Sequence, residues 1–468
     1  FLDVLQNFTV FEPVDGRIIK KIPRYQQFRA VHKTIERLKE GETPRDKSGV
    51  IWHTQGSGKS LTMVFLTVKM RRDLGLRDYK LVFLTDRTQL DSQLTSTFSN
   101  AQGETIRHAD SVKSLKELLA SDASDIITAM VQKFQEGADD LEFPVLNESE
   151  KIIVLADEAH RTQYGALGAA INKALPNAPR IAFTGTPLIK SQKTTSVFGS
   201  YIDTYTIEEA VKDGATVQLL YEGREAMLRV TGDSLDSLFD DYFEDKSEDE
   251  KAAIKKRFGT SRAVLEAPQR IRRVAMDILK HYRTHIQPNG FKAMIVTSSR
   301  NAAILYKEAL DKLEAPQSAV IISGDHNDEK RFWDYTDGTK QKKQIEDFKK
   351  PPGSAEGQSD LSILIVKDML LTGFDAPIAQ VMYLDRKLTD HTLLQAIARV
   401  NRTNKNKFRG YIVDYFGLSD YLTDALKMFS KEDVGGALIN IKEEIPKLKN
   451  AHTRVLGHFE GLDLDDLD

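Results

Sequence analysis

The chain is 468 residues long, which exceeds what a single hydrophobic core usually organises, so more than one domain is expected. It carries 66 Lys and Arg residues against 69 Asp and Glu residues, and the formal net charge of −3 means that any basic surface must be local. The absence of cysteine excludes disulfides, cysteine-ligated zinc and thiol catalysis, and it suits a cytoplasmic location. No apolar stretch approaches the roughly 18 residues of a membrane span, so no membrane partner is expected.

A glycine-rich string lies between a short apolar run and a helical pattern. Residues 53–60 read His-Thr-Gln-Gly-Ser-Gly-Lys-Ser; Gly49–His53 precedes as a strand, and Leu61–Leu66 continues as a helix. Such a strand–loop–helix is typical of a phosphate-binding loop, whose backbone N–H groups hold a triphosphate at a helix N-terminus. His53 stands where such loops usually have their first glycine. The string predicts ATP binding through Thr54, Gly56, Ser57, Gly58, Lys59 and Ser60.

Two polar side chains of this loop and two carboxylates further along have distinct predicted roles. Lys59 would supply a positive charge to the β and γ phosphates, and the Ser60 hydroxyl would be a ligand of Mg²⁺. The apolar run Lys151–Ala156 predicts a parallel strand covered on both faces. Asp157 and Glu158 follow at its C-terminal end, where ligands lie in open α/β sheets. We predict that Asp157 holds Mg²⁺ and that Glu158 polarises the attacking water.

Short apolar runs alternate with helical stretches along most of the chain. A first set of strands is predicted at Val50–His53, Leu81–Thr85, Ile126–Met130, Ile152–Ala156 and Ile181–Thr184. A second set is predicted at Ala293–Thr297, Ala319–Ser323, Ser362–Val366, Val381–Asp385 and Gly410–Val413. This alternation predicts an α/β fold with two tandem doubly wound parallel sheets. The expected domains are 24–210 and 211–418, with a connector over 1–23, a helical insertion at about 232–285, and a short helical extension over 419–468.

The second predicted domain carries its own candidate chemistry. Gln395, Arg399 and Arg402 are spaced by four and three residues, which would place them on one face of a helix. Arginine suits the stabilisation of a transferring phosphoryl group, because its planar fork donates two hydrogen bonds at once. An exposed basic helix face is the alternative that the spacing alone leaves open. If each domain supplies part of the site, ATP lies in a cleft between them.

In this order, the motifs resemble those of superfamily 2 helicase-like translocases. More closely, they resemble the motor portion of the R (restriction) subunit of type I restriction-modification enzymes. The similar strings run along nearly the whole chain: residues 24–31, 52–60, 84–93, 128–134, 157–165, 183–188, 294–300, 371–377 and 395–402. Ala398 departs from the pattern, since many superfamily 2 proteins have glycine there. The resemblance implies two RecA-like domains that pull duplex DNA using ATP without separating its strands.

The resemblance also implies roles for further residues. Gln27 matches the glutamine that reads adenine in this family, and Gly373, Asp375 and Gln395 match nucleotide-contacting positions. For the loop Leu371–Pro377, a structural turn is the alternative to a phosphate or sugar contact. Contacts to the DNA backbone would come from Thr85, Arg87, Gln93, Lys133, Ser299, Arg300 and Thr372. For each of these, a surface or capping role is the alternative.

Cleavage in this family belongs to a separate N-terminal nuclease domain, and no acidic–acidic–lysine constellation of that kind precedes Arg24. We therefore expect the chain to be a fragment that hydrolyses ATP with Mg²⁺ and binds double-stranded DNA without cutting it. The implied partners are methyltransferase and specificity subunits, the latter choosing the DNA sequence. Two alternatives remain open: a strand-separating DNA or RNA helicase, and a nucleotide-responsive scaffold with negligible turnover.

Overall fold

The computed structural model describes residues 1–14, 17–85, 106–130, 143–157, 164–185, 198–224, 239–240, 242–258, 260–325, 327–371, 374–388, 390–418, 438–440, 448–449 and 452. The chain divides into two compact units, Phe1–Ala210 and Val211–Asp468. Each unit is built on a sheet whose described strands pair in parallel. Within these described ranges, no helix is both long enough and apolar enough to cross a membrane.

The first unit places helices on a parallel sheet and has a small hairpin after its first helix. Its helices are α1 (Leu2–Asn7), α2 (Tyr25–Glu40), α3 (Pro44–Lys47), α4 (Lys59–Arg72), α5 (Val112–Ala120), α6 (Tyr164–Ala174) and, at the boundary between the units, α7 (Ile207–Lys212). Its strands are β1 (Val10–Val14), β2 (Arg17–Lys21), β3 (Gly49–His53), β4 (Lys80–Thr85), β5 (Ile106–Ala109), β6 (Ile126–Met130), β7 (Ile152–Asp157), β8 (Arg180–Thr184) and β9 (Tyr201–Tyr205). β1 and β2 form the antiparallel hairpin, and the order in the sheet is β5-β6-β4-β7-β8-β3-β9.

The centre of this sheet is formed by its most apolar strands. Every residue of β3, β4 and β7 is buried, as expected of parallel strands covered by helices on both faces. β8 lies between β7 and β3, with Asp157 in register with Phe183 and Trp52 in register with Thr184. The C-terminal ends of β7, β8 and β3 therefore lie side by side, at the position where open α/β sheets bind ligands.

The predicted connector packs on the first unit. Phe8 has no exposed surface, and its ring centroid lies 4.8 Å from that of Phe28 and 5.6 Å from that of Phe65. In α1, the Asp3 carboxylate accepts a hydrogen bond from Lys69 Nζ on α4 at 2.7 Å. The N-terminal segment thus contributes an aromatic side chain to the core that lies beside α2 and α4.

The second unit repeats the plan with its own elements. Its helices are α8 (Glu248–Phe258), α9 (Thr260–Leu265), α10 (Pro268–His281), α11 (Arg300–Lys312), α12 (Lys330–Thr336), α13 (Gly338–Lys349) and α14 (Asp390–Ile397). A π-helical turn (Tyr282–Ile286) and a 3₁₀ turn (Gln287–Asn289) follow α10. Its strands are β10 (Gln218–Gly223), β11 (Lys292–Thr297), β12 (Ser318–Ile321), β13 (Ile363–Val366), β14 (Ala379–Asp385), β15 (Arg409–Asp414) and β16 (Leu438–Asn440). Their order is β12-β13-β11-β14-β15-β10-β16.

The fold-class prediction is confirmed, and each strand predicted from sequence is present with small shifts at its ends. Besides the hairpin strands β1 and β2, the sequence missed four strands of the parallel sheets: β5, β9, β10 and β16. Three of these lie at sheet edges, where one side lacks a neighbour, and all four contain polar residues that weaken the apolar signal. The C-terminal part of the predicted helical insertion belongs to the core, because α10 buries Ile271, Val274 and Ile278.

Candidate active site

The phosphate loop has the backbone shape that its glycines predict. Gly56 and Gly58 have φ values of 83° and 91°, a left-handed conformation that glycine adopts without steric cost. Gly58 is the N-cap of α4, a helix of 14 residues whose first turn presents backbone N–H groups toward the loop. The loop itself is braced by Ser57, whose hydroxyl donates to Thr54 O at 2.6 Å. This is an anion-binding geometry at the C-terminal end of β3.

Gln27 fastens the start of α2 to this loop. Its Nε2 donates to Gly58 O at 2.9 Å, and its Oε1 accepts from Arg24 N at 2.8 Å. A Cβ added to Gly58 would lie 2.5 Å from Gln27 Nε2, so the Gln27 side chain can lie this close only because residue 58 is glycine. The neighbouring Gln26 makes a longer contact, from Nε2 to Ser57 O at 3.4 Å. In this arrangement Gln27 holds the loop in place, and its assignment to adenine stays a prediction.

Lys59 and Asp157 are placed by neighbouring strand ends. Lys59 is 5% exposed and its Nζ donates to His53 O at 3.1 Å. A Cβ added to Gly185, just after β8, would lie 2.9 Å from Lys59 Nζ, so the end of β8 passes directly against the lysine. Asp157 ends β7, the strand next to β8, and is 4% exposed. The burial of both groups strengthens electrostatic interactions with a charged ligand.

His53, which replaces the usual first glycine of the loop, contacts the buried carboxylate of Asp203. His53 Nε2 lies 2.8 Å from Asp203 Oδ2, and both side chains are almost fully buried. Arg29 Nε and Lys33 Nζ, both on α2, donate to Asp203 Oδ1 at 2.8 and 2.9 Å. Burial opposes ionisation of Asp203, but the hydrogen bonds from His53, Arg29 and Lys33 outweigh it and lower the pKa to about 2. Burial lowers the pKa of His53, against the opposing effect of Asp203.

The residues assigned to Mg²⁺ fit that ion chemically. Ser60 lies in the first turn of α4 and Asp157 at the end of β7, and both offer oxygen, the donor that Mg²⁺ prefers. Within the described ranges, no group of three or more His, Asp or Glu side chains forms a metal cage. Mg²⁺ needs no such cage beside a nucleotide, because phosphates and water supply much of its coordination. Glu158 follows Asp157 in the chain and lies outside the described residues.

The prediction that Gln395, Arg399 and Arg402 share one face of a helix is wrong. The helix α14 ends at Ile397, before both arginines. Beyond it the chain forms tighter turns, in which Arg399 N donates to Ala396 O at 3.0 Å. Arg402 then forms an isolated antiparallel bridge with Thr216, so a backbone partner outside the helix contributes to its position.

The arginines nevertheless lie together with two of the residues predicted to bind nucleotide. We call residues 398–407 the arginine segment and residues 374–379 the facing segment. Arg399 Nε donates to Gln395 O at 3.1 Å, and its Nη1 donates to Phe374 O. Arg402 Nη1 lies 2.8 Å from Asp375 Oδ2. Gln395, Arg399, Arg402 and Asp375 therefore occupy one region, while Gly373 lies outside the described residues.

Sequence reasoning missed Lys407, at the end of the arginine segment. Its side chain is buried, and Nζ donates to Pro377 O at 2.9 Å and to Ala379 O at 2.6 Å. Burial lowers the pKa of Lys407 to about 7. A Cβ on Gly410 would clash with Val400 O, so a glycine in β15 allows the segment to pack closely. In the sequence, Lys407 is only a lysine just before an apolar strand, and that pattern does not indicate that its amine binds backbone carbonyls.

The residues predicted to contact DNA have mixed surroundings. Thr85 has no exposed surface at the end of β4, which argues against a direct contact with DNA. Ser299 is the N-cap of α11 and accepts from Ala302 N at 2.9 Å, the capping role left open above. Arg300 Nη1 lies 2.7 Å from Asp328 Oδ2. The remaining candidates lie outside the described residues: Arg87, Gln93, Lys133 and Thr372.

Ser299 and Arg300 line a groove of about 1250 Å³ within the second unit. Its basic side chains also include Arg331 and Lys367. Their charge is partly balanced, since Arg300 contacts Asp328 and Arg331 Nε lies 3.5 Å from Glu329 Oε2. The groove therefore offers hydroxyl and cationic donors without being a strongly positive surface.

Comparison with known proteins gives a consistent result. Residues 26–252 match the family model described as SWI2/SNF2 ATPase, and residues 330–416 match the one described as type I restriction enzyme subunit R domain 3. The endonuclease subunit assigned to the MjaIXP type I restriction enzyme of Methanocaldococcus jannaschii is 38% identical over 474 residues, covering 99% of this chain and 44% of that protein. The HindI type I restriction enzyme endonuclease subunit of Haemophilus influenzae is 33% identical over 484 residues, covering 95% of this chain and 45% of that protein. The chain thus spans a little under half the length of these relatives.

Solved structures show the same fold at lower identity. A fragment assigned to the HsdR subunit of a type I restriction enzyme from Vibrio vulnificus YJ016 has a TM-score of 0.59 at 18% identity, covering 89% of this chain and 69% of that chain. The ATP-dependent Type ISP restriction-modification enzyme LlaBIII, bound to DNA, has a TM-score of 0.57 at 15% identity, covering 91% of this chain and 32% of that chain. These likenesses agree with two α/β units built on parallel sheets.

Proposed function

The chain belongs to the family of type I restriction enzyme R subunits, and we propose that it is the part that uses ATP hydrolysis to move along double-stranded DNA. Its ATPase region matches the SWI2/SNF2 model over residues 26–252. The observation that carries the proposal is the phosphate loop, with Lys59 buried between the loop backbone and the end of β8. That arrangement serves to hold a polyphosphate.

In the proposed mechanism, the N-terminus of α4 and Lys59 bind the β and γ phosphates. Ser60 and Asp157 would hold Mg²⁺, which would neutralise phosphate charge when bound. Glu158 orients the attacking water and accepts its proton. Arg399 and Arg402 stabilise the charge that develops on the γ-phosphate, because arginine can donate two hydrogen bonds in one plane.

The proposed partners follow from the family. Double-stranded DNA is the track, and a motor that works on any sequence needs contacts to phosphates more than to bases. Ser299 and Arg300, in the groove of the second unit, are the described residues that offer such contacts. We also propose that methyltransferase and specificity subunits complete the enzyme, and that the specificity subunit supplies sequence recognition.

Phosphate release with and without linear duplex DNA tests the ATPase. The wild type should release phosphate faster when DNA is present. Lys59→Ala should lower that rate by at least about a hundredfold, because it removes a charge that stabilises the transition state. Lys113→Ala is the matched control, since Lys113 lies on α5 with 87% of its side chain exposed. Equal rates for the wild type and Lys59→Ala would show that the proposed site is wrong.

Two displacement assays separate a duplex translocase from a strand-separating helicase. A translocase should remove the third strand of a DNA triplex while leaving a forked duplex paired. Unwinding of the fork without removal of the third strand would instead support a strand-separating helicase. Both assays should depend on ATP and on Lys59, so that displacement without hydrolysis is recognised.

A further inference from the structure

We propose that Lys407 is a positioning residue for ATP hydrolysis, which fixes Arg399 and Arg402 by fastening the arginine segment to the facing segment. This inference rests on the proposed function of the two arginines. It assigns to Lys407 no contact with nucleotide. Its effect on the reaction passes through the position of the guanidinium groups.

The two segments are joined by cations at successive points. Arg399 donates to Phe374 O, and Arg402 pairs with the Asp375 carboxylate. Lys407 donates to the two carbonyl oxygens at the far end of the facing segment, those of Pro377 and Ala379. The three cations therefore contact the facing segment in chain order: the first cation contacts its first residue, and the last cation contacts its last residue.

The helix does not fix the arginines, so Lys407 adds to the contacts that hold them, among them the backbone bridge between Arg402 and Thr216. α14 ends at Ile397, so Arg399 and Arg402 lie on a stretch whose position depends on its other contacts. The ion pair of Arg402 and Asp375 is partly open to solvent, with side-chain exposures of 24% and 48%. Such solvent-exposed pairs contribute little to stability, because water screens the charges and the side chains lose freedom, so this pair alone does not hold the loop in one place.

Unlike the partly exposed pair of Arg402 and Asp375, the contact of Lys407 is buried. Its amine lies in a buried position, where burying a charge is unfavourable unless hydrogen bonds compensate. Its hydrogen bonds go to backbone carbonyls, whose positions are set by the start of β14. An amine has at least two N–H donors whether protonated or neutral, so both carbonyl contacts survive either state. Lys407 therefore anchors the arginine segment to the start of β14, a central strand of the sheet.

The first test compares Lys407→Met with Lys405→Met. Methionine keeps a long unbranched side chain but removes the donors, while Lys405 is an exposed lysine of the same segment. Steady-state ATP hydrolysis is measured with duplex DNA, and folded sites are counted by the stoichiometry of a fluorescent ATP analogue. Lys407→Met should lower kcat per site by about tenfold to a hundredfold, the cost of misplacing a catalytic group by about 1 Å. Its KM should change less than about twofold, and Lys405→Met should match the wild type.

The second test asks whether Lys407 acts through the arginines. Lys407→Met is added to the double variant Arg399→Ala/Arg402→Ala, and single-turnover phosphate release is followed. If Lys407 only positions the arginines, it should cause no further loss in that background, because the effects are coupled. A general structural role would multiply the two losses and would overturn the proposal. Lys407→Gln, which keeps a two-hydrogen donor on a shorter side chain, replaces Lys407→Met in both tests if the methionine variant binds no analogue.

The outcomes also separate this inference from the proposed function. Hydrolysis that depends on Lys59 but proceeds at the wild-type kcat in Lys407→Met would overturn only the role of Lys407. Absence of Lys59-dependent hydrolysis in the wild type would overturn the proposed function, and with it the role of Lys407.

Discussion

The phosphate loop and the arginine segment reach their shapes in different ways. In the loop, Gly56 and Gly58 adopt left-handed backbone conformations, and the N-terminus of α4 follows directly. In the arginine segment, the side chains of Arg399 and Lys407 bind backbone carbonyls that are distant in sequence. The loop is therefore defined mainly by local backbone geometry, and the arginine segment mainly by long side chains. Substitutions should affect the two regions differently.

The largest expected effect on stability comes from removing the buried charge of Asp203, which contacts His53 of the phosphate loop. Asp203→Asn should lower the free energy of unfolding of the first unit by about 3 kcal/mol at pH 7, because a buried ionic network loses its anion. Asp203 has a folded pKa of about 2 against an ordinary value of 3.8, so its ionisation stabilises the fold above about pH 4. The difference between wild type and variant should shrink as the pH falls from about 4 to 2.

Tryptophan fluorescence measures this difference in the first unit alone. The chain has 2 tryptophans, Trp52 in the first unit and Trp333 in the second. In a Trp333→Phe background, urea unfolding reports on Trp52 only. A difference that stays constant between pH 7 and pH 2 would contradict the assigned charge state of Asp203.

A glycine substitution tests most directly whether backbone geometry defines the phosphate loop. Gly58→Ala should weaken ATP binding by about tenfold to a hundredfold, because an alanine there carries roughly 1–3 kcal/mol of backbone strain. The added Cβ would also meet Gln27 Nε2 at 2.5 Å. Gly214→Ala is the matched control, since Gly214 has a φ of 66° and no atom within 4 Å of the added Cβ. Titration with a fluorescent ATP analogue should show a loss for Gly58→Ala alone.

A smaller effect is expected from the side chain that fastens the loop to α2. Gln27→Ala removes the hydrogen bonds to Gly58 O and from Arg24 N, and should weaken ATP binding by up to about tenfold, as one net hydrogen bond would. Competition between ATP and GTP provides the decisive readout. The preference between them should not change, because Gln27 contacts the loop. Loss of the preference for ATP over GTP in Gln27→Ala would instead support the assignment of Gln27 to adenine.

The phosphate loop could be predicted from the sequence because its information is local. Gly58 and Lys59 are adjacent, and glycine is the residue that adopts a positive φ without cost, so the string alone indicates the geometry. The strands β3, β7 and β8 could be predicted for a similar reason, since full burial produces continuous apolar runs.

The arginine segment could be predicted only in part. The spacing of Gln395, Arg399 and Arg402 brought the right residues together, but it implied a helix that ends at Ile397. Lys407 binds carbonyl oxygens, which every residue possesses, so no sequence pattern points to them. Asp203 was missed because its partners, His53 and Arg29, become neighbours only after β9 pairs with β3.

The central proposal is that Arg399 and Arg402 act on the nucleotide that the phosphate loop holds. Single-turnover release of γ-phosphate by Arg399→Ala/Arg402→Ala tests it most directly, with ATP binding measured in the same samples. Binding should stay within about twofold of wild type, because the loop and Lys59 are unchanged, while release should slow by about a thousandfold or more. Release at the wild-type rate from a fully bound double variant would contradict the account.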